Sequence, residues 1–252
     1  MTGEQPVLPG FYRLTRYETV GSTNDEAKRL AEGGAPEGTL VWGLAQSAGR
    51  GRRGRPWQSP PGNLYVSLLL RPAGSPAQVA QLGFVAALGL GDALQPLLDG
   101  GHAVQFKWPN DVLLNGRKLA GILLESETAI GQGTAFVVIG IGVNLATAPA
   151  DTEFPAVSLA AAGIPNVPPG LLLEAFAPHF ESWYRRWLAE GFAPVRLAWL
   201  ARASGLGEPV RVRLERATLL GRFLDLDEEG ALLLEGQDGR RRVAAGEIFP
   251  AA

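Results

Sequence analysis

The sequence contains no cysteine and only two histidines, His102 and His179, among its 252 residues. The lack of cysteine excludes disulfide bonds and thiol nucleophiles, and two histidines far apart are poor material for a transition-metal site. The chemistry of this chain must therefore use oxygen nucleophiles, lysine, arginine or a hard cation such as magnesium.

Long apolar stretches and a strong net charge are also missing. The first twenty residues hold no apolar run of signal-peptide form, and no segment reaches the ~20 apolar residues that a membrane span needs. The formal net charge is -2, so the molecule as a whole is not drawn to nucleic acid or to an acidic membrane. We expect a cytoplasmic globular protein that does not associate with a membrane.

Lysine is scarce as well. Only Lys28, Lys107 and Lys118 stand among 23 basic residues, so arginine supplies the generic positive charge. Where lysine occurs despite this preference for arginine, we expect its own chemistry to be needed. An ammonium group is a compact point charge, whereas guanidinium is a rigid planar fork. We expect Lys28, on a polar helix face, to be a solvated surface residue, and the other two to be functional.

The pattern of apolar residues predicts an α+β protein. Ser22 as an N-cap, a Thr-x-x-Glu capping box and a Gly stop predict a helix over 24–32. A long core helix is predicted over 76–98, and a helix over 169–190, with a break or kink at Pro178, precedes one over 194–203. Strands are predicted at 40–46, 64–71, 104–108 and 135–145, with a tight hairpin at Asn115 and Gly116. From residue 205 onward, short strands and turns predict a small all-β domain of four or five strands.

The most unusual segment is the arginine loop (residues 49–55, GRGRRGR), which lies between two predicted strands, after Gln46 and before Trp57. Alternating glycines let the backbone approach a ligand, and four guanidinium groups match carboxylate and phosphate oxygens. The loop resembles an anion clamp; an RGG-like nucleic-acid contact and a solvated loop are the alternatives. Mutual repulsion of the arginines predicts a loop that becomes ordered when an anion binds. Trp57 either stacks on a base or packs at a strand entry.

A second cluster, Lys107-Trp108-Pro109-Asn110-Asp111, follows a predicted strand. Proline ends the strand there, and a carboxylate beside Lys and Asn suits phosphates and hydrated magnesium. Lys118 lies seven residues beyond Asp111, so two of the three lysines flank one hairpin.

These motifs resemble those of the biotin-protein ligases. GSTNDEA, then Gln46 with GRGRRGRPW, KWPND, GRKLAG and GIGVNL occur in that family's order and approximate spacing, over residues 21–145. The resemblance implies a catalytic domain with a mixed sheet, related to class II aminoacyl-tRNA synthetases and lipoate ligases, over residues 1–204. A small SH3-like β-barrel over residues 205–252 would follow it.

The resemblance also implies site residues. Biotin's ureido head and ring would contact Ser22, Thr23, Asn24 and Gln46, and its carboxylate side would lie under Arg50, Gly51 and Arg52. Lys118 would bind the biotin carboxylate and the attached phosphate. The residues that would bind ATP are Arg53, Gly54, Arg55, Trp57, Lys107, Asn110 and Asp111. Asp111 would also face Mg²⁺. Lys118, Lys107 and Arg52 would be the catalytic residues.

The implied reaction joins biotin to AMP and then transfers biotin to a lysine of an acceptor, for which the family points to the biotin carboxyl carrier domain of acetyl-CoA carboxylase. A lipoate ligase or acyl transferase on the same fold is the alternative enzyme. A DNA-binding repressor is the alternative from another class, and we expect no DNA binding because only twenty residues precede Gly21, too few for a helix-turn-helix module. The sequence leaves both a monomer and a homodimer open.

Overall fold

Two β-sheets organise the chain in the computed structural model, which describes residues 6–129, 133–164, 167–237 and 239–251. The strands of the first sheet are β1 (Arg13–Tyr17), β2 (Thr39–Gly43), β3 (Leu64–Leu70), β4 (Val104–Lys107), β5 (Asp111–Leu114), β6 (Arg117–Ala129) and β7 (Gly133–Val143). Their order is β1-β2-β3-β7-β6-β5-β4. Only β1 and β2 run parallel, so the sheet is mixed, as predicted.

The described residues form five α-helices: α1 (Thr23–Glu32), α2 (Pro76–Ala80), α3 (Leu82–Leu94), α4 (Pro169–Glu190) and α5 (Phe192–Leu200). Helices α1 to α4 contact this sheet, and α5 packs on α3 and α4. All seven residues of β3 are buried, because α1 packs on one face of the sheet while α3 and α4 pack on the other. Leu68 accordingly belongs to the large apolar core under α3 and α4, whereas its neighbour Leu69 belongs to the small core under α1. The sheet thereby carries the N-terminus of α1 above β3 and β7.

The long helix predicted over 76–98 is divided. Helices α2 and α3 meet at Gln81, and a 3-10 turn over Gln95–Leu97 ends the segment. The side chain of Gln81 is engaged by tertiary partners, since it accepts a hydrogen bond from Trp187 Nε1 and donates one to the carbonyl of Glu228. Contrary to our expectation, Pro76–Leu97 is long and apolar enough for a membrane span, with a mean hydropathy of 1.3, but 78% of that stretch is buried inside the protein. It is a core segment here.

Helix α4 runs through Pro178 without interruption, so the predicted break is absent, and a kink at Pro178 stays a prediction. Phe176, Phe180 and Tyr184 of this helix are buried. Gly89 of α3 lets the two helices approach closely, because a Cβ there would lie 2.9 Å from the Cα of Phe180. Packing on both sides of the proline outweighs the lost backbone hydrogen bond.

The C-terminal region forms the predicted small β domain. Its strands are β8 (Pro209–Arg213), β9 (Thr218–Leu226), β10 (Leu232–Gly236), β11 (Gly239–Val243) and β12 (Glu247–Pro250), all paired antiparallel in the order β11-β10-β9-β8-β12. Val210, Val212 and Phe223 belong to the same apolar core as α3 and α4. The α+β class is confirmed, whereas the exact division at residue 204 stays a prediction.

Candidate active site

A cavity of about 500 Å³ opens between the N-terminus of α1, the arginine loop, the β5–β6 hairpin and β12. The predicted site residues that line it are Ser22, Thr23, Asn24, Gln46, Arg50, Gly51, Arg52, Arg55, Trp57, Lys107, Asn110, Asp111 and Lys118. Arg53 and Gly54 do not line the cavity and are exposed. Both have positive φ, 57° and 71°, in the turn that carries the chain from Arg52 to Arg55. A role for these two at the cavity therefore lacks support from their placement.

Glycines of the central strands make room for the side chains of the cavity. A Cβ at Gly140 would collide with Asn24 Oδ1, and one at Gly142 would lie 2.6 Å from Trp57 Nε1. Trp57 thus packs on the sheet, with the Lys118 ammonium 5.4 Å from its ring centroid. Within the described residues Trp57 Nε1 is buried against Gly142 without a hydrogen-bond partner.

The start of α1 presents polar groups to the cavity instead of capping itself. Ser22 is the N-cap residue but makes no side-chain cap bond, so the predicted capping box is wrong. Gln46 Oε1 accepts hydrogen bonds from both the backbone N and the Oγ1 of Thr23, at 2.8 and 3.0 Å. The Glu26 carboxylate, the other half of the predicted box, accepts from Tyr17 and Arg29. Gln46 and Tyr17 from outside the helix, and Arg29 one turn further along it, bind the groups that the predicted box would have paired.

Asn24 is held by residues that no motif revealed. Its Nδ2 donates to Glu125 Oε2 at 2.7 Å, and its Oδ1 accepts from Ser67 Oγ at 2.6 Å. Glu125 also pairs with Lys28 at 3.0 Å, so Lys28 is a half-buried partner and not the solvated residue we expected. The amide of Asn24 is therefore fixed in orientation by two strands, β3 and β6.

The arginine loop is attached by its side chains to α1 and to the start of β12. Arg50 donates to Asp25 at 2.6 Å, Arg52 to the carbonyl of Gly246 at 3.1 Å, and Arg55 to Glu247 at 2.8 Å. The hydrogen bond from Arg50 holds the pKa of Asp25 below its ordinary value, and burial lowers the pKa of Arg52. Carboxylates and a carbonyl thus balance the repulsion that we expected among the arginines. Whether an anion orders the loop further stays a prediction.

Asp111 lies between Lys107 and Lys118, the two lysines predicted to be functional. Its Oδ2 lies 2.9 Å from Lys107 Nζ and its Oδ1 lies 2.6 Å from Lys118 Nζ. Burial alone would raise the pKa of Asp111, but the two ammonium groups outweigh it and hold that pKa below its ordinary value. The buried carboxylate is ionised at neutral pH and places two cations at the cavity.

The predicted role of Asp111 as a ligand of the magnesium that accompanies ATP stays a prediction. Each carboxylate oxygen lies near one ammonium group, and Oδ1 has no hydrogen-bond partner within the described residues. In the part of the chain that the structure describes, no group of three His, Asp or Glu side chains could hold a metal ion by itself. The contacts that are present place Asp111 between Lys107 and Lys118.

The C-terminal domain completes the cavity, which sequence reasoning missed. Glu247 and Phe249 of β12 line it, as does Phe154 from the loop after β7. Arg213 pairs with Glu247 and with Glu153, both at 2.6 Å. Burial opposes ionisation of Glu247, but Arg213 and Arg55 hold its pKa below the ordinary value. A chain of charges therefore links the arginine loop, β12, β8 and the loop after β7.

Comparisons with known proteins agree with this geometry. Residues 17–144 match the model of the biotin/lipoate A/B protein ligase family, and residues 205–249 match that of the biotin protein ligase C-terminal domain. The chain is 47% identical over 235 residues to the biotin–[acetyl-CoA-carboxylase] ligase of Paracoccus denitrificans, covering 90% of this chain and 96% of that protein. It is 36% identical to the bifunctional ligase/repressor BirA of Bacillus subtilis, covering 93% of this chain and 73% of that one. The biotin protein ligase of Aquifex aeolicus in complex with biotin and ATP superimposes with a TM-score of 0.79 at 26% identity, over 95% of this chain and 98% of that chain.

Proposed function

The chain belongs to the biotin/lipoate A/B protein ligase family, and from that membership and the cavity we propose that it is a biotin–protein ligase. It forms biotinyl-5'-AMP from biotin and ATP and transfers biotin to a lysine of an acceptor protein. The acceptor is the biotin carboxyl carrier domain of acetyl-CoA carboxylase, as the name of the Paracoccus relative suggests.

One observation carries the proposal. A set of neutral polar groups (Ser22, Thr23, Asn24 and Gln46) and a set of cations share a single cavity, and Lys118 lies on its wall together with Trp57. Such a cavity suits a molecule with a neutral hydrogen-bonding head at one end and a carboxylate at the other. The cations then face the point at which the carboxylate meets a polyphosphate.

The first step is formation of an acyl phosphate anhydride. A carboxylate oxygen of biotin attacks the α-phosphorus of ATP, the bond from that phosphorus to the bridging oxygen breaks, and pyrophosphate leaves. Two anions must approach each other, so cations held in position beforehand lower the barrier. Lys118 binds the biotin carboxylate and the α-phosphate, and Arg52 covers the same region from the arginine loop.

The nucleotide end of the cavity is assigned to Trp57, Arg55 and Asn110. Trp57 offers its indole ring, and Arg55 can exchange its Glu247 partner for a phosphate at modest cost because the pair is partly exposed. Magnesium would enter with the phosphates of ATP, and no step here depends on a protein ligand for it.

In the second step the acceptor lysine amine attacks the acyl carbon, and AMP departs with the phosphate oxygen. No nucleophile from this chain is needed, which agrees with the absence of cysteine. A covered cavity protects the anhydride from water until the acceptor arrives. The cytoplasmic location, the absence of DNA and membrane partners, and the choice between monomer and homodimer stay predictions.

The proposal is tested by isotope exchange between pyrophosphate and ATP, measured with biotin, lipoate and octanoate separately. We expect exchange with biotin and little with the other two acids. Exchange stimulated by lipoate alone would contradict the proposal and would indicate the lipoate branch of the same family. Transfer to a purified carrier domain, followed by mass spectrometry of its target lysine, tests the second step.

A further inference from the structure

Two aromatic rings lie close to the Lys107 ammonium, and neither belongs to the motifs found in the sequence. Lys107 Nζ is 4.6 Å from the ring centroid of Phe154 and 5.7 Å from that of Phe249. We propose that Phe154 and Phe249 are positioning residues for adenylate formation, which act by holding Lys107 and, through Asp111, placing Lys118. This inference rests on the proposed function.

Lys107 has little left to offer a nucleotide directly. Its side chain is only 7% exposed, one N–H is directed at Asp111 at 2.9 Å, and another lies 3.5 Å from the carbonyl of Ile248. The two rings cover the remaining side of the ammonium group. A buried lysine with these partners keeps its charge because a carboxylate, a carbonyl and two π faces replace water.

Through Asp111, the contacts of Lys107 extend to Lys118, which is proposed to bind the biotin carboxylate and the α-phosphate. Asp111 shares its two oxygens between Lys107 and Lys118, so a shift of Lys107 leaves Oδ2 unpaired and allows the carboxylate to rotate. Rotation would draw Lys118 away from its present place, 5.4 Å from the ring centroid of Trp57. Lys118 is the more exposed lysine, at 25%, and is the one free to meet an anion.

The two rings come from segments that lie far apart in the sequence. Phe154 belongs to the loop after β7, and Phe249 belongs to β12 of the C-terminal domain, with ring centroids 6.4 Å apart. Arg211 and Arg213 also lie over Phe249, at 5.3 and 4.6 Å, which fixes that ring to β8. Docking of β12 on the catalytic sheet is thereby coupled to the position of Lys118.

Phe154 is the better residue to change, because it is half-buried in a loop and its replacement should not unfold the protein. Phe154→Leu removes the π face and keeps an apolar side chain, and Phe154→Tyr keeps the ring. In biotin-dependent pyrophosphate exchange we expect Phe154→Leu to lower kcat by about ten-fold with KM for ATP within about two-fold, while Phe154→Tyr stays within about two-fold of the wild type in both.

Phe249→Leu should show the same pattern, and Phe223→Leu is its matched control. Phe223 is fully buried in β9 of the same domain and is not among the rings near Lys107, so its replacement lowers the unfolding temperature without the loss of kcat. A double-mutant cycle of Phe154→Leu with Lys107→Met, scored both by exchange and by free energy of unfolding, tests the contact itself. We expect clear non-additivity in both measurements.

The outcomes separate this inference from the proposed function. If the wild type shows no biotin-dependent exchange, the proposed function fails. If the wild type is active but Phe154→Leu raises KM for ATP and leaves kcat unchanged, the ring contacts nucleotide directly and the positioning role is wrong. Additive effects of Phe154→Leu and Lys107→Met in both measurements would also overturn it.

Discussion

Two groups of cations face the same cavity and are held in opposite ways. Lys107 and Lys118 stand around the carboxylate of Asp111, which is 8% exposed and belongs to the β5–β6 hairpin of the central sheet. Arg50 and Arg55 of the arginine loop are paired with carboxylates of other elements, and their side chains are 34% and 52% exposed.

The difference distinguishes charges that are fixed from charges that can move. A buried carboxylate that loses its partners leaves an uncompensated charge, so the lysine group keeps one geometry. Exposed ion pairs contribute little net stability, so the arginines can exchange Asp25 and Glu247 for a ligand anion. The fixed group suits the point of reaction, and the movable group suits a cover over the product.

The largest effect should come from removing the central carboxylate. Asp111→Asn leaves the buried ammonium of Lys107 and the partly exposed ammonium of Lys118 without their counter-ion, and we expect a loss of about 3–5 kcal/mol in the free energy of unfolding. The lowered pKa of Asp111 means that its contribution is complete above the ordinary value of 3.8 and disappears as pH falls below it. Denaturant unfolding measured from pH 7 to pH 3 should therefore show that the difference in free energy of unfolding between wild type and variant decreases only in acid. A difference that does not change with pH would show that Asp111 does not act through its charge.

Lys118→Ala should abolish most adenylate formation with a smaller effect on folding. We expect a loss of about 2–4 kcal/mol of transition-state stabilisation in pyrophosphate exchange, as for other positioned charge donors. Lys28→Ala is the matched control, since Lys28 pairs with Glu125 and does not line the cavity. Near-normal exchange by Lys118→Ala would remove Lys118 from the mechanism.

Neighbouring arginines of the loop should differ sharply. Arg52 lines the cavity and donates to Asn110 at 3.3 Å, whereas Arg53 is exposed and lies outside it. We expect Arg52→Ala to lower kcat/KM by about ten-fold or more and Arg53→Ala by less than about two-fold, measured as biotin transfer to a carrier domain. Equal losses would show that the whole loop acts as one diffuse positive charge.

The smallest effect should follow from releasing Arg50. Asp25→Asn removes a partly exposed ion pair, and we expect the free energy of unfolding to change by less than about 1 kcal/mol. The difference from wild type should shrink further as salt is added, because salt screens exposed charges. A larger, salt-independent loss would move Arg50 from the movable group to the fixed one.

Local patterns predicted those parts of the structure that depend on neighbours in sequence. The hairpin at Asn115 and Gly116 formed with φ of 48° and 73°, as its residues require. The site residues predicted in the loop and the hairpin, apart from Arg53 and Gly54, line one cavity. The Thr-x-x-Glu capping box predicted over Thr23–Glu26 failed because Gln46 binds Thr23 and Arg29 binds Glu26. The helix predicted over 76–98 was divided where Gln81 binds Trp187 and Glu228.

Tertiary structure alone decided which side chains meet those motifs. Arg55 and Glu247 are 192 residues apart, and Asn24 and Glu125 are 101 residues apart, so no spacing rule could join them. The sequence by itself determined the types of charged and polar groups and their order along the chain, because these follow from composition and local motifs. The fixed lysines, the movable arginines and the ring contacts at Lys107 were decided by sheet register and by the docking of β12, since charges interact through distance and burial and not through position in sequence.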